Sequence, residues 1–377
     1  MNAKPPGWFQ RYLLPGLAFK AVVIGGGYAT GRELAEFFLP SGPRGGVMGM
    51  LLAMLIWSAV CAATFALAHA ARAYDYRSFF RLLLGPAWPA FEVAYMVFMV
   101  LLLAVFGAAA GNVANAMFGW PLLAGTLGLM LAVGVTTAFG SQSVERLFKW
   151  ASVLLYAVYA VFLVLALSSF GGQVVERFGT VQDTKGWAMA GITYASYNVI
   201  GAVVILPVAR HFLRRRDAVV AGVIAGPLAM LPALLFFVCM AAWYPTIGNE
   251  ALPSDFMLRK LDMPVFHLLF QAMIFVALLE SGVGVVHALN ERVAVAWEAR
   301  RGVVMPHAAR FALAAVLLTG SIFVADYFGL VALIANGYRA LAWTLLALFV
   351  LPLFTVGLRT LHRVGPHPRM TQEDASP

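Results

Sequence analysis

Three consecutive glycines, a fourth at Gly31, and then Arg32 and Glu33 lie within one long apolar run, in the sequence "VVIGGGYATGRELAEFF" at residues 22–38. Glycine costs about 1 kcal/mol relative to alanine inside a helix, so Gly25, Gly26 and Gly27 predict a break. Lipid cannot satisfy the freed backbone, which must therefore face protein or a water-filled cavity. Freed amides near Tyr28 would suit a carboxylate, and freed carbonyls would suit an amine or a cation.

A second apolar run has a polar centre, in the sequence "GITYASYNVIGAVVILP". We expect its polar residues to contact a ligand together with a threonine that follows the first break; these residues are Thr30, Tyr194, Ser196, Tyr197 and Asn198. Two alternatives stay open. The spacing of Gly27 and Gly31 is also typical of a helix-packing face, and tyrosines inside membranes are commonly packing residues.

A third chemical feature is Glu280, which lies with Ser281 roughly 25 Å along an apolar run that begins at Pro264. A carboxylate at membrane depth is costly and indicates function. Glu280 would carry a coupling proton or form a cation site with Ser281. Alternatively, it forms a buried ion pair with Arg339 that only holds helices together.

The composition indicates that these residues belong to an integral membrane protein. Of the 377 residues, 62% are apolar and only 11% are charged, against roughly 25% charged in soluble domains. The mean hydropathy is +0.84. Cys61 and Cys239 lie in separate apolar runs without metal-ligand spacing, so we expect no metal site and no cofactor. Nucleic-acid binding is a poor explanation of the net charge of +9.

Apolar runs of about 20 residues, the length that crosses a bilayer, predict ten helical spans in an all-α fold. They lie at residues 14–39, 46–71, 88–118, 120–139, 147–170, 186–212, 218–243, 264–290, 309–325 and 327–356.

The distribution of lysine and arginine orients these spans. The loops on one side hold most of the 26 basic residues. Those on the other side hold Arg44, Arg177, Lys185, Arg259 and Lys260. The basic side faces the cytoplasm, which predicts a protein of the cell (inner) membrane with both termini cytoplasmic.

The two interrupted runs are the first and the sixth spans, so five spans separate equivalent positions and the second half must cross the membrane inverted. We predict a single transmembrane domain (residues 1–377) with repeats at residues 14–170 and 186–356 and a cytoplasmic tail at residues 357–377. Matching interruptions in inverted halves are typical of a secondary transporter with its site at mid-membrane. We expect that site to lie between spans 1, 3, 6 and 8.

The motif "IGGGYATGRELAEFF" resembles the G-A-G-F-A-T-G-[QR]-E-I motif of YkvI-like membrane proteins, and "YASYN" and "GVGVVHALNER" resemble further blocks of that family. The family is similar to the amino acid-polyamine-organocation superfamily. The resemblance implies the LeuT fold, a five-plus-five inverted repeat, and an amino-acid permease. In LeuT-like transporters this part of helix 8 often lends hydroxyls to a sodium site, a role that would fall to Ser281. Tyr28 departs from the family pattern, which generally has phenylalanine there.

Charged residues beyond the first break are expected to gate the site or to form ion pairs. Arg32 and Glu33 point about 100° apart on a helix, so each needs its own partner. An Arg32–Asp326 pair would resemble the outer gate of this fold, or would be a static surface pair. We expect Glu36 to be a solvated charge at the rim.

The sequence therefore predicts a transporter for a small zwitterionic or amino-acid-like solute, coupled to H⁺ or Na⁺. A membrane-embedded enzyme is disfavoured because neither HExxH nor GxSxG occurs. An ion channel would have rings of identical groups from several subunits or a continuous polar stripe. The polar residues here concentrate at one depth instead, which disfavours a channel. A structural or sensory membrane protein would leave the matched interruptions and Glu280 unexplained. The residues indicate no oligomeric state.

Overall fold

The computed structural model describes residues 6–23, 30–139 and 142–363, which form helices joined by short connections. Six stretches in this part of the chain are long and apolar enough to cross a membrane. One of them, His307–Arg363, contains two spans. The shorter apolar helix Leu122–Phe139 adds another, and the interrupted first and sixth spans complete the ten. The chain is an all-α, multi-pass membrane protein.

The ten spans are numbered in chain order. Span 1 comprises Leu14–Val23 and Arg32–Phe37, and span 6 comprises Trp187–Asn198 and Ile200–Val204. The others are Gly42–Ala71 (span 2), Trp88–Phe118 (3), Leu122–Phe139 (4), Gln142–Gly179 (5), Arg215–Ala241 (7), Pro264–Arg301 (8) and His307–Ala332 (9). Span 10 is a succession of short helical segments, Leu333–Tyr338, Arg339–Leu345, Leu346–Val350, Leu353–Gly357 and Leu358–Arg363.

Short helices and single turns connect the spans. They are Leu39–Ser41, Tyr76–Leu84, Gly85–Ala87, Leu206–His211, Thr246–Asn249 and Pro253–Leu261, and the further short helix Phe9–Leu13 precedes span 1. We call the membrane face at which span 1 begins the N-terminal face, and the other the opposite face.

Local backbone chemistry explains two of the interruptions. Gly31 has φ +78° immediately before Arg32–Phe37, and Gly329 has φ +72° near the end of span 9, shortly before span 10. Residues with a side chain rarely adopt such angles, so glycine is the residue that permits both changes of direction. Span 6 changes more gently: its α-helix ends at Asn198, and the amide of Ala202 then donates to the Val199 carbonyl, three residues back.

Spans 1, 2, 6 and 7 pack with their backbones in close contact. A Cβ at Gly222 or Gly226 of span 7 would overlap the span 2 backbone. A Cβ at Gly191 of span 6 would lie 2.5 Å from the Gly49 carbonyl oxygen of span 2. On span 1, a Cβ at Gly16 would lie 2.7 Å from Leu228 Cδ1 of span 7. Small residues permit this close helix packing where hydrophobic burial offers no driving force.

Candidate functional site

A cavity of about 260 Å³ lies between spans 1, 3, 6, 8 and 10. Most of the lining comes from the first half of spans 1 and 3 and from the second half of spans 6 and 8, which run in the opposite direction. Glu33 in the second half of span 1 and Tyr338 near the start of span 10 line its far end. The cavity therefore occupies the part of the bundle nearer the N-terminal face. The sequence placed the site between spans 1, 3, 6 and 8 and missed span 10, whose Tyr338 also lines it.

Most of the lining is apolar, and the polar groups are few. They are Glu33, Tyr95, Tyr197, Asn198, Ser281 and Tyr338. A small number of polar groups in an otherwise apolar cavity is typical of a small-molecule site, where those groups set orientation and specificity.

Glu33 and Tyr197 join spans 1 and 6 at the end of the cavity farther from the N-terminal face. The Tyr197 hydroxyl donates to Glu33 Oε2 at 2.6 Å, and the two residues are 3% and 4% exposed, respectively. A hydrogen bond to a carboxylate is shorter and stronger than one between neutral groups. This bond fixes the position of the carboxylate against the sixth span.

The neighbouring Arg32 points away from Glu33. Its guanidinium donates to Glu36 Oε2 at 2.7 Å and to the carbonyl oxygens of Gly248 and Glu250 at 2.8 and 3.0 Å. Glu36 also lies 3.9 Å from Arg339. Among the described residues, the ion pairs of this region are the two that Glu36 forms, and neither includes Glu33.

Two expectations about charged residues were therefore wrong. Arg32 does not pair with Asp326, because Asp326 is exposed in span 9, three residues before the change of direction at Gly329. Glu36 is not a solvated rim charge, since its side chain is only 18% exposed. The spacing of four residues between Arg32 and Glu36 is typical of helical ion pairs and could have indicated this contact.

Aromatic rings separate the cavity from the opposite face. The Tyr197 ring lies 4.7 Å from that of Tyr338 and 5.7 Å from that of Phe37, between ring centroids. Tyr194 packs at 4.8 Å from Phe38 and 5.5 Å from Tyr197. Together with the Arg32 hydrogen bonds, these rings close the bundle beyond Glu33.

Toward the N-terminal face, Tyr95 connects the cavity to a second charged cluster. The Arg292 guanidinium lies 3.5 Å from the centre of the Tyr95 ring and 3.7 Å from that of Tyr76. This sandwich links span 3, span 8 and the short helix Tyr76–Leu84. This sandwich could not be predicted from the sequence, because its partners come from three distant segments.

The other predicted substrate-site residues divide into three groups. Gly25, Gly26, Gly27 and Tyr28 lie outside the described residues. Asn198 lines the cavity, and its amide donates to the Tyr194 carbonyl at 3.0 Å.

Thr30, Tyr194 and Ser196 are buried but do not line the cavity. The Thr30 hydroxyl accepts from the Arg32 amide at 3.4 Å, and the Ser196 hydroxyl donates to the Ile192 carbonyl at 2.7 Å.

The predicted coupling residues also separate. Ser281 lines the cavity, whereas Glu280 is half-buried on span 8 and is absent from the lining. Successive helical residues point about 100° apart, which accounts for the difference. Arg339, the partner considered for Glu280, lies beside Glu36 instead.

Comparisons with known proteins support the architecture. No family model matches the chain. It is 21% identical over 338 residues to the uncharacterized membrane protein YkvI of Bacillus subtilis (strain 168), which covers 88% of this chain and 92% of that protein. This likeness confirms the resemblance expected from the sequence motifs.

Two solved structures have the same fold. The structure of MhsT in complex with L-phenylalanine aligns with a TM-score of 0.52 at 17% identity, over 96% of this chain and 99% of MhsT. A substrate-bound Na⁺-coupled sialic acid symporter aligns with a TM-score of 0.60 at 12% identity, over 93% and 79% of the two chains. The chain has the LeuT fold. The predicted ten helices, with the first and sixth interrupted, are thereby confirmed. The division of this LeuT fold at residues 14–170 and 186–356, with a tail at 357–377, stays a prediction.

Proposed function

We propose that this protein is a secondary active transporter that moves a small zwitterionic or amino-acid-like solute by alternating access, in the cell membrane. The observation that carries the proposal is a cavity between the two interrupted spans that is closed toward one membrane face by Arg32 and an aromatic layer. Alternating access requires a central site whose two ends close in turn. A closed end of this kind also disfavours a continuous pore.

Two structurally similar proteins support the proposal of an amino-acid-like solute and a coupling ion. MhsT was solved with an amino acid, and the sialic acid symporter is Na⁺-coupled. The volume of about 260 Å³ lies just below the usual range of roughly 300–1,000 Å³ for small-molecule pockets, which suits an amino-acid-sized solute. With the predicted cytoplasmic termini, we infer that the end closed by Arg32 and the aromatic layer faces outward.

We assign the coupling ion, H⁺ or Na⁺, to the region of Ser281 and Glu280 on span 8. Ser281 offers a hydroxyl to the cavity, and a carboxylate at membrane depth such as Glu280 is by default functional. The backbone of residues 25–28 is the proposed partner of the solute's carboxylate.

Thermal unfolding of the purified protein against a panel of amino acids, with and without Na⁺ and at two pH values, tests the proposal. A ligand that raises Tm only with Na⁺, or only at low pH, would identify solute and coupling ion together. Uptake of that ligand into proteoliposomes under the matching gradient would establish transport. A folded protein that binds no member of the panel and takes none up would contradict it.

A further inference from the structure

Glu33 is a buried carboxylate, and the described residues around it offer no counter-ion. The elements packed against its helix are span 6, the start of span 10, and the turns Leu39–Ser41 and Thr246–Asn249. Their titratable side chains are Tyr194, Tyr197 and Tyr338, and the two turns contain none. On its own helix, Arg32 and Glu36 bind each other. The described part of the chain thus surrounds Glu33 with phenols rather than with cations.

A charge removed from water is costly unless it is paired or fully hydrogen-bonded. One hydrogen bond from Tyr197 provides part of that compensation. The remaining open side of Glu33 is the cavity, which it lines. A positive group that enters the cavity therefore meets an unpaired carboxylate at its far end.

The neighbouring groups favour an organic ammonium over a metal ion. Tyr197 and Tyr338 line the cavity with Glu33, and aromatic ring faces attract ammonium groups. Hard metal ions instead require several oxygen ligands. In the described residues no group of three or more His, Cys, Asp or Glu side chains could hold a metal ion.

The rest of the lining defines the body of the ligand. Spans 3 and 8 contribute Phe98, Met99, Leu102, Phe106 and Val285, all apolar. Within about 260 Å³, these side chains suit a compact aromatic or branched aliphatic group.

We infer that Glu33 binds the protonated amine of the substrate, which places the substrate among primary or secondary ammonium compounds with an apolar body. The inference rests on the proposed transport function and assigns to a side chain a contact that the sequence assigned to freed backbone carbonyls. Tyr197 positions the carboxylate, and Tyr338 completes the aromatic wall beside it.

Matched ligands on the purified full-length chain test the assignment. The probes are phenylalanine, phenethylamine and N-acetylphenylalanine, with leucine, isoamylamine and N-acetylleucine as the aliphatic set, measured by calorimetric titration and thermal shift. Acetylation removes the positive charge and keeps the apolar body. Compounds with a charged amine should bind, and their acetylated forms should bind at least about tenfold more weakly.

Variants then locate the contact. Glu33→Gln should weaken binding of the amines by about ten- to a hundredfold, and Glu33→Asp by less. Glu291→Gln is the matched control, because Glu291 pairs with Arg310 at the end of span 8, away from the cavity, and it should bind as the wild type does.

Four results would overturn the assignment. The first is equal binding of acetylated and free amines by the wild type, a comparison that decides the question even where Glu33→Gln fails to fold. The second is a Glu33→Gln protein that binds amines as tightly as the wild type and whose uptake no longer depends on pH. That result would assign Glu33 to proton transfer rather than to amine binding. Wild-type uptake without preference for amines would refute the inference and leave transport standing, whereas no uptake of any probe would refute both.

Discussion

Glu33 and Glu36 lie one turn apart on the same short helix, in opposite electrostatic surroundings. Glu36 sits between Arg32 at 2.7 Å and Arg339 at 3.9 Å, while Glu33 is held by a tyrosine hydroxyl and faces the cavity. The Glu36 carboxylate is already neutralised by the protein, and the Glu33 carboxylate is not. A pair of acidic residues three apart on one helix can thus divide between a closing contact and a binding contact.

The largest effect is expected from reversing the charge of Arg32, which pairs with Glu36 and not with Glu33. Arg32→Glu would place a third carboxylate beside Glu33 and Glu36 and would remove the donors to two carbonyl oxygens. Breaking a buried pair costs about 3–5 kcal/mol, so the variant should fail to accumulate as a folded protein. Size-exclusion chromatography of the detergent-solubilised variant measures this.

The charge swap Arg32→Glu with Glu36→Arg provides the control for that loss. Because it restores opposite charges at the same spacing, part of the folded fraction should return. An Arg32→Glu protein as stable as the wild type would show that the pair does not hold the closed end.

Replacing each glutamate by glutamine compares the contributions of Glu33 and Glu36 to stability directly. Glu36→Gln should lower the stability by about 1.5–3 kcal/mol, because it leaves the buried Arg32 without its charged partner. Glu33→Gln should leave Tm nearly unchanged, since the amide oxygen still accepts from Tyr197. Thermal unfolding of both proteins without ligand is the measurement. A larger loss from Glu33→Gln than from Glu36→Gln would reverse our interpretation of the helix.

Removing the hydroxyl of Tyr197 tests how the cavity carboxylate is positioned. Tyr197→Phe keeps the ring against Tyr338 and deletes the hydrogen bond to Glu33. We expect affinity for ammonium ligands to fall about fivefold, in line with a net hydrogen-bond contribution of about 1 kcal/mol. Tyr338→Phe should change the affinity less, because the described contacts include no hydrogen bond from Tyr338 to Glu33.

The smallest effects should come from the exposed charges nearby. The Arg339 side chain is 55% exposed and lies 3.9 Å from Glu36, so Arg339→Gln should cost less than about 1 kcal/mol. Asp326→Asn should fall within about 0.5 kcal/mol of the wild type, because Asp326 is exposed and unpaired with Arg32. Denaturation midpoints of the two variants check this order, and a strong effect of Asp326→Asn would revive the gate expected from the sequence.

The contrast also shows what the sequence could specify. Apolar runs of membrane length located all ten spans, because each span must be apolar on its own. The burial of Glu33 followed from its place in such a run. The sequence did not determine which charged residues pair. Asp326 lies at the right depth for Arg32, but depth does not determine which way a side chain points. Tyr338 and the sandwich around Arg292 depend on contacts between distant spans, which one sequence does not reveal.

The glycine contacts between spans 1, 2, 6 and 7 have a mechanical consequence. Where the Gly222 backbone touches span 2, and where Gly191 touches Gly49, no side chains intervene that could change rotamer and let the helices slide. Span 7 also touches span 1 at Gly16. A tilt of any one of these helices must therefore be shared by the others. Spans 2, 6 and 7 and the first half of span 1 would thus move as one rigid body, and the hydrogen bond from Tyr197 to Glu33 links the second half of span 1 to it.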